Sequence, residues 1–70
     1  MPTNPQSDFG LRVRVLREQR QWTLEELAKR AGMDWSQLGL IERGKRNVTL
    51  RTIAKLAAGL GVSMKALFES

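Results

Sequence analysis

The chain has 70 residues, which allows one small domain and no second. It has no cysteine and no histidine, which excludes disulfides and a zinc site of the usual Cys/His kind. Twelve basic residues against seven acidic ones give a net charge of +5, a balance that suits either a polyanionic partner or plain solubility.

With 41% apolar and 27% charged residues, the chain reads as globular rather than disordered. No apolar run approaches the roughly 18 residues of a membrane span. The start of the chain lacks the apolar core of a secretory leader, so the cytoplasm is the expected compartment. The charge is unevenly placed. Arg43, Lys45, Arg46, Arg51, Lys55 and Lys65 follow one another with no acid among them. Every acid except Glu69 lies at Glu42 or before it. This clustering favours nucleic acid over simple solubility.

In chain order, residues 1–6 carry two prolines and no periodicity and read as a frayed arm. Residues 7–70 form the domain. Ser7 or Asp8 caps a first helix running to about Arg20, with Phe9, Val13, Leu16 and Arg20 on one face. Leu11 and Val15 lie off that face and find no place in the core; they pack on the fifth helix or on a neighbour. Thr23 and Glu26 form a capping box for a second helix, stapled by Trp22 and Leu27. Gly32 stops it, because glycine enters the left-handed conformation without steric cost.

Asp34 starts the third helix, with Gln37 as its capping-box partner and Met33 and Leu38 as the staple. Leu38 and Ile41 point to the core, and Gly44 ends this helix. Thr49 caps the fourth, stapled by Val48 and Ile53. Its apolar face is Leu50, Ile53, Leu56, Ala57 and Leu60, and Gly59 and Gly61 end it. Ser63 caps a short fifth helix, stapled by Val62 and Leu67. No segment alternates with period two. The expected fold is all-α, a compact bundle of five short helices.

The join between the second and third helices is the informative one. A link so short, with glycine in it, forces a steep crossing, as in a helix-turn-helix over about residues 24–43. An ordinary αα-corner has the same spacing, and the basic balance favours the DNA-binding form.

Three stretches then carry a resemblance. They are Thr23-Leu-Glu-Glu-Leu-Ala-Lys-Arg-Ala-Gly-Met, Leu38 with Ile41-Glu-Arg-Gly-Lys-Arg-Asn, and Leu60-Gly-Val-Ser. They resemble the Cro/C1 (Xre) family of helix-turn-helix domains, whose fold is lambda-repressor-like. The chain is also similar to the controller proteins of restriction-modification systems. The resemblance implies a buried ion pair between Arg17 and Glu42; the residue reading adds that Arg17 lies beside Val13 and Glu42 follows core residue Ile41. It also implies that Trp35, Ser36, Gln37 and Leu40 face DNA bases, with Asp34 beside them. Thr23, Arg43, Lys45, Arg46 and Asn47 would meet phosphates. Trp35 departs from the polar or basic residue common at its site, and Leu24 from the usual glutamine. Trp35 packs either on a thymine methyl or sugar, or back on the scaffold, or on another protein.

The implied partner is double-stranded DNA, bound by a homodimer on a two-fold operator. Leu60, Val62, Met64, Leu67 and Phe68 are the expected dimer seam. The rival is a protein-binding module, such as an antitoxin using the Trp35 and Leu40 face. Catalysis is not expected, since no recognisable set of catalytic groups occurs. No cofactor, small-molecule ligand or membrane partner is expected either.

Overall fold

The computed structural model describes residues 5–68. They form four α-helices, α1 (Pro5–Gln19), α2 (Leu24–Ala31), α3 (Trp35–Glu42) and α4 (Leu50–Leu60), and one 3-10 turn, Lys65–Phe68. The all-α class holds. The expected fifth helix is that single turn, whose start is fixed by Ser63 Oγ accepting the amide of Ala66 at 3.2 Å. The first helix begins earlier than expected, because Pro5 takes a first-turn position where no amide is required. Pro5 and Gln6 therefore belong to α1, and the rest of the expected arm lies outside the described residues.

Local chemistry sets the element boundaries. Thr23 Oγ1 accepts the amide of Glu26 at 3.1 Å, and Glu26 accepts the amide of Thr23 at 3.2 Å, which closes the capping box. Gly32 ends α2 at φ 68°. Thr49 accepts the amide of Thr52 and starts α4. Asp34 does cap α3, but it holds Ser36 rather than Gln37: it accepts the Ser36 amide and hydroxyl at 3.4 and 2.7 Å. Gly61 alone ends α4. Gly59 is interior to that helix, and a Cβ there would sit 3.0 Å from the amide nitrogen of Ala31. It is the point where α4 presses on the end of α2.

Thirteen apolar residues form one core, with Val13, Leu27, Leu38, Leu56 and Leu67 fully enclosed. Leu50 is a correction: it is 75% exposed. It shares its helical face with Ile53, but it stands in the first turn of α4 and is left open among the described residues. α1 packs on α3 and on the 3-10 turn, and α2 packs on α3 and α4. The contact of α1 with α3 is close. A Cβ at Gly10 would fall inside the carbonyl oxygen of Ile41 and 2.7 Å from that of Glu42. Gly10 thus lets α1 lie directly on the end of α3.

Candidate nucleic-acid interface

The two-helix unit is anchored by one ion pair. Arg17, on the last turn of α1, donates from Nε to Glu42 Oε2 at 2.8 Å and from Nη2 to Oε1 at 2.9 Å. Its Nη1 donates to the carbonyl oxygen of Trp22 at 2.8 Å. The side chains are 13% and 5% exposed, so the pair is largely closed to water. One arginine therefore ties α1, the turn before α2 and the end of α3 together. The hydrogen bond to Glu42 pushes the Arg17 guanidinium above its ordinary pKa, and burial opposes that shift.

Other arginines are also engaged in holding the fold. Arg12 donates to the carbonyl of Ala66 at 3.3 Å. Arg20 donates to the carbonyls of Leu60 at 3.1 Å and Leu16 at 2.9 Å. The guanidinium of Arg30 lies 4.1 Å from the ring centre of Trp22. None of these roles was read from the sequence, where an arginine near a helix end carries no sign of which carbonyl it will reach.

The front of the unit is open. Trp35 is 56% exposed on the first turn of α3. Ser36 is exposed, while Gln37, Gly39 and Leu40 are half-buried. Beyond the helix, Arg43, Lys45, Arg46 and Asn47 are all exposed, and Gly44 among them has φ 71°. Asn47 accepts a hydrogen bond from Gln6, so this loop is tied to the first turn of α1. Thr23 is exposed, with its amide and hydroxyl oxygen held in the capping box. Leu24 is half-buried and packs on the core. Leu24, Trp35, Ser36, Gly39 and Arg43, with Arg14 and the Arg17–Glu42 pair, line a cleft of ≈ 340 Å3 between α1, α2 and α3.

The expected dimer seam needs correction. Leu60 and Leu67 are 3% and 1% exposed within the chain, so they belong to its own core. Val62 is partly buried against that core. Met64 and Phe68 remain exposed. Phe68 stacks against Phe9 at 5.5 Å between ring centres. Beside it a larger cleft of ≈ 590 Å3 opens along α1, lined among others by Pro5, Leu11, Val15 and Phe68. Leu11 is 58% exposed and Val15 half-buried. The apolar surface there is thus built by α1 together with the 3-10 turn.

Known proteins share this arrangement. The controller protein C.AhdI of Aeromonas hydrophila, from a restriction-modification system, superposes with a TM-score of 0.88 at 43% identity, over 90% of this chain and 96% of that one. The hypothetical transcription factor NHTF from Neisseria superposes at 0.88 and 31% identity, over 99% and 82%. In sequence, the chain is 36% identical to the control protein C.MunI of a Mycoplasma species, over 87% of this chain and 84% of that one. It is 39% identical to the Neisseria meningitidis hypothetical transcription factor and spans about half of that protein, 48%. The helix-turn-helix domain profile matches residues 8–69. That match takes in both capped helices, the Gly32 turn and the Arg17–Glu42 brace, and on it the chain belongs to the helix-turn-helix domain family.

Proposed function

We propose that the chain is a sequence-specific DNA-binding transcriptional regulator, a repressor or controller, that acts as a homodimer on a two-fold operator. The observation that carries this reading is the open first turn of α3, with the basic loop Arg43 to Asn47 beyond it and the end of α3 braced by Arg17 and Glu42. A recognition helix must be held rigidly while its outer face stays free. The likeness to C.AhdI over nearly the whole of both chains supports the controller form of the reading.

In this reading Trp35, Ser36, Gln37 and Leu40 face base edges. Gln37 has a donor and an acceptor suited to adenine. Arg43, Lys45, Arg46, Asn47 and the hydroxyl of Thr23 meet phosphates, which sets register and salt dependence rather than sequence preference. The chain works by binding and not by catalysis. No helix among the described residues is long and apolar enough to cross a membrane, and the working compartment is the cytoplasm, on the nucleoid.

One protomer offers few base contacts, and a dimer doubles them across half-sites about 34 Å apart. The seam proposed here is Phe68 and Met64 with Leu11 and Val15, the apolar surface left open beside α1. A gel shift against genomic fragments across a salt series tests the whole reading. A specific, salt-sensitive complex is expected. A protein-binding module such as an antitoxin, using the Trp35 and Leu40 face, would give none.

A further inference from the structure

The outward face of α3 is poor in free polar groups. Ser36 gives its one hydroxyl proton to Asp34, so it has no donor left for a base. Gln37 is half-buried, and Gly39 and Leu40 have no polar side-chain atoms. Trp35 stands out from the first turn instead. It shares a cleft with Leu24 and Gly39, and a Cβ at Gly39 would lie 3.7 Å from Leu24 Cδ1. An apolar wall from α2 and α3 therefore lies on the face that the reading above turns to DNA.

Charge selects what meets this wall. Arg43 and Arg14 border the cleft, Arg14 in an exposed pair with Glu18 at 3.3 Å, while Arg17 and Glu42 line it as a mutually neutralising pair that adds no net charge. The basic loop continues from Arg43. Cations around an apolar wall suit a polyanion that carries apolar groups between its charges. The major groove does so: the C5-methyl group of thymine projects from the base edges, between two phosphate backbones.

We propose that the wall formed by Trp35 and Leu24 reads pyrimidine C5-methyl groups, thymine foremost, in the major groove. The inference rests on the DNA-binding reading and names the group that α3 recognises. Methyl contacts then add to the preference that Gln37 supplies by hydrogen bonding.

Selection from a random duplex library by the whole chain provides a bound site. That site is then made with uracil in place of thymine, which removes the methyl group and preserves pairing. Affinity should fall about fourfold for each contacted methyl, the ratio expected for burying one such group. At a sensitive position, 5-methylcytosine should bind about fourfold tighter than cytosine. Trp35→Ala should bind the thymine and uracil sites equally. A merely structural role for Trp35 would weaken both and keep their ratio, and that result would overturn the proposal. Equal affinity of the parent chain for both sites would overturn it too, and leave DNA binding standing. If no duplex were enriched at all, this proposal and the DNA-binding reading would fall together.

Discussion

Replacing Glu42 with alanine should remove a large part of the stability of the domain. Arg17 now donates to both carboxylate oxygens, at 2.8 and 2.9 Å, inside a pair nearly closed to water. Alanine removes both acceptors and leaves the guanidinium with the Trp22 carbonyl alone. Breaking a buried pair from one side costs about 3 to 5 kcal/mol. Arg17 keeps one hydrogen bond and a little access to solvent, so the lower end applies, about 3 kcal/mol. In a domain of this size each kcal/mol moves the melting midpoint by about 4 to 8 °C, so Tm should fall by about 12 to 24 °C. Thermal unfolding followed by far-UV circular dichroism measures it. The double variant Arg17→Met with Glu42→Leu should recover most of the loss, because neither charge is then left unpaired. A Tm for Glu42→Ala within about 2 °C of the parent would refute the buried pair and make it a surface one. A double variant as unstable as the single one would assign the cost to packing instead.

The remaining predictions concern backbone contact, reading, holding, self-association and pH. Gly10→Ala should destabilise by about 3 kcal/mol or more, since its Cβ meets rigid carbonyls of α3 and not a movable side chain; a parent-like melt would refute the close approach. Gln37→Ala should relax preference at one base pair per half-site, by about 1 to 3 kcal/mol of discrimination, and leave the salt slope unchanged. Arg46→Ala should weaken specific and non-specific DNA alike and reduce the salt slope by about one, measured by titration across a salt series. Phe68→Ser should shift sedimentation towards monomer, because it removes the most exposed ring beside α1. The Arg17 pKa is raised in the folded state, so the contribution of the pair is present below the ordinary arginine value and lost only above it. Raising the pH from about 7 to 10 should therefore not melt the chain through this pair.

Local signals in the sequence were the readable ones. The capping box at Thr23 and Glu26, the cap at Thr49 and the stop at Gly32 are where spacing placed them. Each depends on residues within one turn, so tertiary context cannot move it. The apolar spacing of α1 points to Phe9, Val13 and Leu16, that of α3 to Leu38 and Ile41, and the staple pattern to Leu27; all six are in the core. The resemblance to helix-turn-helix regulators and controllers holds in the profile and the superpositions.

What was missed depends on what stands opposite. Leu50 has the right spacing for the core and is left open among the described residues. Leu60 and Leu67 fit the sequence pattern both as helix-face or staple residues and as part of a dimer seam, and at 3% and 1% exposure only the first of these roles holds. Gly10 reads as a weak helix former, and only the carbonyls of Ile41 and Glu42 explain it. Ser36 competed with Gln37 for Asp34 and won, because its hydroxyl and its amide can both reach one carboxylate. That competition also leaves Trp35 as the most prominent group on the front of α3.

Sequence-specific recognition of duplex DNA by α3 and the loop after it is read out by the affinity of the whole chain for an enriched duplex and for a scrambled one, across a salt series. The enriched site should bind more tightly by roughly 10³-fold or more, with affinity for both falling steeply as salt rises. Equal affinity for the two duplexes, or no dependence on salt, would contradict it.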